Sequence, residues 1–176
     1  MNRVELAKRV YNISHITGEF KLRSGQISNE YFDKYLFEGQ PENLMAIVEQ
    51  MLPLIPEGVE ALAGLEMGGL PIVTMLSQVS SIPALFVRKK TKEYGTCKLA
   101  EGGGIAGKWL LIVEDVGTSG GQIVLSANDL RERGAIVEEI VCVIDREAGG
   151  TDNLKKQGLF LKPLFTMSDL EIMAEG

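Results

Sequence analysis

The chain has 176 residues, of which 45% are hydrophobic and 24% are charged, and its formal net charge is −6. This composition is typical of a globular protein with a sizeable core, and the acidic balance argues against general binding to nucleic acid or to anionic membranes. The longest apolar runs fall short of the ~20 residues that a membrane span requires, and the N-terminus lacks the apolar core of a signal peptide. We therefore expect a single domain over residues 1–176 in a soluble, cytoplasmic protein.

The N-terminal part of the chain predicts two helices with a hairpin between them. A first helix is expected from about Val4 to Ile13, with Asn2 as its N-cap. Two short alternating segments around a glycine turn, residues 19–23 and 28–35, predict a hairpin or small flap. Pro41 stands at a first helical position and opens the second helix.

From residue 59 onward, strands and helices alternate. Apolar runs predict five strands, at residues 59–65, 82–87, 108–114, 136–144 and 159–165. The helices between and after them are expected at residues 70–78 and 122–133 and from a capping box at 168–171. Continuous apolar strands that alternate with helices indicate a sheet covered on both faces. The predicted fold class is therefore α/β, with a central parallel five-stranded sheet flanked by helices.

The segment that carries the chemistry follows the third of these strands. Glu114 and Asp115 end the strand, and a turn rich in Gly, Ser and Thr at residues 117–121 then opens a helix. Ligands bind at the carboxyl ends of parallel strands, and the N–H groups of a helix N-terminus attract anions. Since the carboxylates would repel a phosphate, we expect them to face hydroxyls or a hydrated metal ion. The segment predicts a site for a phosphorylated sugar, the alternative being an ordinary helix start.

A basic run leaves the end of the second predicted strand. Residues 88–98 carry four lysines and one arginine against a single glutamate. The next strand along the chain carries the predicted anion site, so the run could close over phosphates, although a solvated charged loop is the alternative. Residues 102–107 match the dinucleotide-binding G-x-G-x-x-G, but they precede a strand instead of following one, so we expect a flexible loop there.

These segments together resemble a known family. Residues 114–121 (EDVGTSGG) resemble the phosphoribosyl-diphosphate (PRPP) motif of type I phosphoribosyltransferases, and residues 86–95 (FVRKKTKEYG) resemble the catalytic loop of orotate phosphoribosyltransferases. Three further segments are similar to that family, at residues 20–25, 31–33 and 64–71. The likeness covers about Phe20 to Glu147. It implies a type I phosphoribosyltransferase fold with a small N-terminal hood at roughly residues 15–36.

The resemblance implies transfer of phosphoribose from PRPP to N1 of orotate, in the biosynthesis of UMP. The products would be orotidine 5′-phosphate and diphosphate, and Mg²⁺ would be carried by PRPP. The family's assembly implies a homodimer in which the lysine loop of one subunit completes the site of its neighbour. No nucleic-acid or membrane partner is implied.

The resemblance also implies site residues, carried over by position. The implied catalytic residues are Lys92, Glu114 and Asp115. The implied PRPP-binding residues are Arg88, Lys89, Lys92, Tyr94, Glu114, Asp115, Val116, Gly117, Thr118, Ser119, Gly120, Gly121 and Gln122. The implied orotate-binding residues are Arg23, Tyr31, Phe32, Thr118 and Arg146. Tyr94 stands where many relatives have a loop histidine, and Gly68 stands where some relatives have a lysine.

Two alternatives stay open on the residues alone. One is a phosphoribosyltransferase for another base, and the other is a regulatory protein of the same fold that binds PRPP without turnover. Because Asp115 lies at a strand end, its replacement by alanine is expected to abolish turnover while leaving the fold intact.

Overall fold

The computed structural model describes residues 1–21, 25–91 and 98–175. Three of the predicted site residues, Arg23, Lys92 and Tyr94, lie outside these ranges. The helices of the described ranges are α1 Arg3–Ser14, α2 Lys34–Glu38, α3 Pro41–Met51, α4 Gly69–Ser80, α5 Gly121–Glu132, α6 Gly150–Lys155 and α7 Met167–Glu175. The strands are β1 His15–Lys21, β2 Ile27–Phe32, β3 Ala61–Leu65, β4 Ala84–Val87, β5 Ala100–Glu101, β6 Trp109–Gly117, β7 Ile136–Asp145 and β8 Phe160–Thr166.

The central sheet has the strand order β5-β4-β3-β6-β7-β8. The five strands from β4 to β8 in this order are parallel, which confirms the predicted parallel five-stranded sheet. A two-residue strand, β5, adds to the β4 edge in the antiparallel sense. The hydrophobic pattern of the sequence could not predict β5, since two residues are too few to show the alternation that identifies a strand.

Helices cover both faces of the sheet. Side chains of α1, α3, α4 and α7 pack on one face around Leu111 and Val113, and side chains of α5 and α6 pack on the other around Leu110 and Ile112. All four of these β6 residues are fully buried, because successive residues of a strand point to opposite faces and both faces are covered. In the part of the chain that the structure describes, no helix combines the length and apolarity that crossing a membrane requires.

The N-terminal hairpin is present, but its second strand is shorter than expected. β1 and β2 pair in the antiparallel sense, with His15 opposite Phe32. The predicted strand up to residue 35 is wrong in its last three residues. The Asp33 side chain accepts a hydrogen bond from the Tyr35 backbone N–H at 3.1 Å and caps α2, so the chain turns helical directly after Phe32.

The C-terminal helix also begins at a different residue from the one expected. Thr166 is the capping residue, because its hydroxyl accepts from the Asp169 N–H at 3.0 Å while the Asp169 carboxylate accepts from the Thr166 N–H at 3.1 Å. Ser168 instead donates both its N–H and its hydroxyl to the Glu147 carboxylate. The predicted capping box at Ser168 is therefore wrong, and Ser168 ties α7 to the loop after β7.

Candidate active site

Four loops meet at the carboxyl edge of the sheet. They follow β3, β4, β6 and β7, and β3 lies between β4 and β6, so the loop after β3 separates the basic run from the acidic motif. The peptide bond between Glu66 and Met67 in that loop is cis. This edge is where open α/β sheets bind their ligands.

The glycine-rich turn after β6 leads directly into a helix. The strand runs to Gly117, three residues beyond the expected end, and α5 begins at Gly121. Gly120 precedes the helix with a left-handed backbone, φ 75°. The first N–H groups of a helix lack intrahelical partners, and Thr118 and Ser119 beside them are exposed. The turn therefore exposes backbone and hydroxyl donors of the kind that bind anions.

The short helix α6, which the sequence analysis missed, supports this turn from behind. A Cβ atom on Gly150 would lie 2.1 Å from the carbonyl oxygen of Thr118, so the two segments touch through their backbones. Asn153 donates its side-chain amide to the Ser119 carbonyl at 3.1 Å. The sequence signal for this close contact was the pair Gly149-Gly150. A glycine pair does not show which other segment its backbone touches.

The two carboxylates of the motif lie in different surroundings. Asp115 is 1% exposed, one of its oxygens accepts from the Val116 N–H at 2.5 Å, and the other pairs with the Lys34 ammonium. Glu114 is less covered, and its Oε1 accepts from the Asp115 N–H at 3.1 Å. Desolvation and the side-chain hydrogen bond to the Asp115 carboxyl raise the pKa of Glu114 well above its ordinary value, although the Asp115 N–H acts in the opposite direction. Alanine at 115 would remove the buried partner of Lys34, so the expectation that this change leaves the fold intact stays a prediction, which thermal unfolding of the variant would test.

Lys34 and Glu38 of α2 were not predicted as site residues. They are one helical turn apart, and both face Asp115. Both oxygens of the Glu38 carboxyl are buried without a hydrogen-bond partner among the described atoms. Burial, reinforced by the charge of Asp115, raises the pKa of Glu38 to about 8. Burial opposes the charge of Lys34, but its bond to Asp115 outweighs this effect and raises the pKa of Lys34.

The glycine at position 68 is explained by the same carboxylate. A Cβ on Gly68 would lie 1.4 Å from the Oδ2 of Asp115. Any side chain at position 68 would therefore overlap the Asp115 carboxylate in its present position.

The basic run is held at its base by two neighbouring segments. The Arg88 N–H donates to the Leu99 carbonyl at 2.9 Å, and the Lys89 N–H donates to the Glu66 carboxylate at 2.6 Å. The Arg88 side chain lies 3.9 Å from the Glu101 carboxylate, while Lys89 is exposed. The beginning of the run thus lies at the edge of the sheet that carries the motif.

A cavity of about 530 Å³ opens between the hairpin and the end of β7. It is lined by three of the five residues predicted to bind orotate, Tyr31, Phe32 and Arg146, together with residues of α1, β1, β2 and α7. The Arg146 N–H donates to the Gly117 carbonyl at 2.9 Å, which places the cavity beside the start of the phosphate-type turn. Thr118 is not among the lining residues, although it follows Gly117.

The loop after β7 is shaped by Asp145. Its carboxylate accepts from the Glu147 N–H and from the Thr151 hydroxyl, each at 2.9 Å. Asp145 is 7% exposed, so this anchor is internal and holds the exposed Arg146 at the mouth of the cavity.

Comparison with known proteins gives the family. No family model matches the chain. The orotate phosphoribosyltransferase of Nocardioides sp. is 47% identical over 171 residues, which cover 97% of this chain and 96% of that protein. The chain belongs to the orotate phosphoribosyltransferase family. The orotate phosphoribosyltransferase of Methanocella arvoryzae is 42% identical over 87% of each chain.

Solved structures of orotate phosphoribosyltransferases have the same fold. The Mycobacterium tuberculosis H37Rv enzyme in complex with inorganic phosphate has a TM-score of 0.85 and 26% identity, and it covers 96% of this chain and 98% of its own. Its complex with PRPP has a TM-score of 0.82, also with 26% identity and the same coverage. The resemblance drawn from the sequence is confirmed, as is the type I phosphoribosyltransferase fold. Members of this family are pentosyltransferases.

Proposed function

We propose that this chain transfers phosphoribose from PRPP to N1 of orotate and releases orotidine 5′-phosphate and diphosphate, a step of pyrimidine biosynthesis in the cytoplasm. One observation carries the proposal. A cavity that contains an arginine and two aromatic side chains adjoins, through the bond from Arg146 to Gly117, a turn with free N–H donors. Orotate needs the first of these features for its carboxylate and ring, and the 5′-phosphate of PRPP needs the second.

The phosphate end of PRPP is assigned to the turn after β6. Residues 118–122 bind the 5′-phosphate with backbone N–H groups and with the hydroxyls of Thr118 and Ser119. Glu114 and Asp115 bind the ribose hydroxyls, which are neutral donors that a carboxylate accepts without repulsion. The basic run binds the diphosphate through Arg88, Lys89 and Lys92. Several cations are needed because the diphosphate carries several negative charges.

The orotate end is assigned to the cavity under the hairpin. Arg146 binds the orotate carboxylate, because a guanidinium can donate to both oxygens of a planar carboxylate. Tyr31 and Phe32 of the hairpin cover the planar ring, and Arg23 and Thr118 complete the set. The hairpin acts as the hood of a single domain over residues 1–176.

The chemistry needs no nucleophilic side chain. Departure of diphosphate leaves positive charge at C1 of the ribose, related to the oxocarbenium character of glycoside cleavage, and N1 of orotate attacks that carbon. Side chains of the basic run stabilise the charge that develops on the leaving group. A loop that closes over the site excludes water, the competing nucleophile.

Magnesium is assigned to the substrate. Among residues 1–21, 25–91 and 98–175, no three His, Cys, Asp or Glu side chains are grouped to hold a metal ion. Mg²⁺ keeps several waters and binds phosphate oxygens with few protein carboxylates, so the ion would be carried by PRPP, and the partly exposed Glu114 would be the group that holds it through its waters. When bound, Mg²⁺ neutralises charge on the diphosphate.

The active form is proposed to be a homodimer whose basic loop, with Lys92, enters the partner's site. Lys92→Ala and Asp115→Asn proteins should each be nearly inactive. In an equal mixture, half the dimers are mixed, and one site of each mixed dimer pairs an intact motif with an intact loop. Activity should then recover to about a quarter of wild type, by counting sites in a symmetric dimer. A mixture that stays inactive, with mixed dimers verified by mass spectrometry, would reject the shared site.

The reaction itself is tested by incubating the protein with PRPP, Mg²⁺ and orotate and following the loss of orotate absorbance. We expect loss with orotate and none with uracil or adenine as the acceptor. Turnover with another base alone would indicate a different phosphoribosyltransferase. PRPP binding by calorimetry without turnover of any base would indicate a regulatory protein.

A further inference from the structure

We infer that Lys34 is a positioning residue of the active site, which orients the Asp115 carboxylate for PRPP through their buried ion pair. The inference rests on the proposed function and deepens it, because it adds a residue that acts on the motif from outside it. The residue lies in α2, some 80 positions before the motif, and its role is independent of the basic run.

A backbone donor and a cation hold the two oxygens of Asp115. The Val116 N–H binds Oδ1 at 2.5 Å, and the Lys34 ammonium pairs with Oδ2. The carboxylate is 1% exposed, so water cannot replace either contact at small cost. With both oxygens bound by groups that are anchored in different elements, the orientation of the carboxylate is determined.

The ion pair also supplies the charge that the buried Asp115 carboxylate needs. Burial and the neighbouring Asp115 raise the pKa values of Glu38 and Glu114, so these two carboxyl groups hold their protons more readily than usual. Lys34 is the cation that contacts Asp115 among the described ion pairs, and without it the buried carboxylate would lose its counter-charge and turn away. Gly68 leaves just enough room for the pair, because a Cβ there would overlap Oδ2.

The position of Lys34 is itself well determined. Asp33 caps α2 through the Tyr35 N–H, and the Asp33 N–H donates to the Ser14 carbonyl at 2.8 Å. Phe37 of the same helix is fully buried in the core. The side chain of Lys34 is therefore carried by a helix that is fixed at its start and at its apolar face.

The test is a double-mutant cycle of Lys34→Met and Asp115→Asn, with PRPP affinity measured by calorimetry and kinetics followed by orotate absorbance. Lys34→Met should weaken PRPP binding by about 10- to 150-fold, the range for loss of a hydrogen bond to a charged group. In the Asp115→Asn background the same change should cost less than about threefold, since the partner is already neutral. Lys34→Arg should recover most of the loss because it keeps the charge, and Lys155→Met, on an exposed lysine of α6, is the matched control.

Each other outcome overturns the inference. An equal loss in both backgrounds would mean that Lys34 contacts PRPP directly, and unchanged or tighter binding in Lys34→Met would mean that Lys34 only covers Asp115. A loss that Lys34→Arg does not recover, with a lowered melting temperature in both variants, would assign Lys34 a structural role. A wild-type protein that binds no PRPP and turns over no orotate would instead reject the proposed function.

Discussion

Gly150→Ala tests whether α6 shapes the phosphate turn. The added Cβ would lie 2.1 Å from the Thr118 carbonyl oxygen, 3.1 Å from the Thr118 carbonyl carbon and 3.2 Å from the Gly120 nitrogen. All three are backbone atoms, so no side chain can swing away. The turn or α6 must shift by about 0.9 Å to bring the closest contact to the 3.0 Å that real Cβ atoms require.

That shift falls on the donors proposed for the 5′-phosphate. A displacement of about 1 Å in a positioned group can cost on the order of 100-fold in rate, so we expect kcat/KM for PRPP to fall by about that factor. The orotate cavity is lined by other segments, so the KM for orotate should change far less. PRPP affinity is measured by calorimetry, and both KM values by the orotate absorbance assay.

The neighbouring glycine provides the control. Gly149 has φ 80°, and a Cβ there would meet nothing within 4 Å, so Gly149→Ala carries backbone strain of about 1–2 kcal/mol without a clash. It should lower the melting temperature and leave PRPP affinity near that of wild type. If folded Gly150→Ala bound PRPP like wild type, or if Gly149→Ala weakened binding equally, the support of the turn by α6 would be refuted.

Three further predictions concern the base site, the buried carboxyl and the terminal cap. Arg146→Ala should raise the KM for orotate by about 10- to 150-fold through loss of a charge-assisted bidentate bond, and equal effects on both substrates in steady-state kinetics would argue against this assignment. For Glu38, whose pKa is raised to about 8, the unfolded chain releases a proton between about pH 4.5 and 8 that the folded chain keeps, so rising pH destabilises the fold. Glu38→Gln removes this effect, so its stability relative to wild type in urea unfolding should increase from pH 5 to pH 8; a constant difference would contradict the raised pKa. Thr166→Ala should lower the unfolding free energy by about 1 kcal/mol, and no change would reject Thr166 as the cap.

The sheet could be predicted from the sequence because its signals are local. The parallel strands are largely apolar runs, and β3 at the centre of the sheet is buried along its whole length. The turn at residues 117–121 combines an acidic strand end with helix-opening residues. The predicted ends of β2 and α7 were wrong because a capping side chain determines where each element ends or begins. Asp33 ends β2 by capping α2, and Thr166 caps α7 in place of Ser168. Both boundaries are set by side-chain hydrogen bonds, which the spacing of apolar residues does not reveal.

The site was predicted in part for a different reason. Tyr31, Phe32 and Arg146 were carried over by resemblance, and the structure gathers them around one cavity. Lys34 and Glu38 escaped prediction, because a lysine and a glutamate four residues apart are common on exposed helices. Their meeting with Asp115 depends on how α2 packs against α1 and α3, which brings Lys34 to the end of β6 in a long-range contact.

The most direct test of the account is a crystal structure with orotidine 5′-phosphate bound. We expect its phosphate at the N–H groups of residues 118–122, its ribose hydroxyls at Glu114 and Asp115, and its carboxylate paired with Arg146 in the 530 Å³ cavity. The pyrimidine ring should lie against Tyr31 and Phe32. A nucleotide with its phosphate away from the turn, or with its base outside that cavity, would contradict the proposed reaction site.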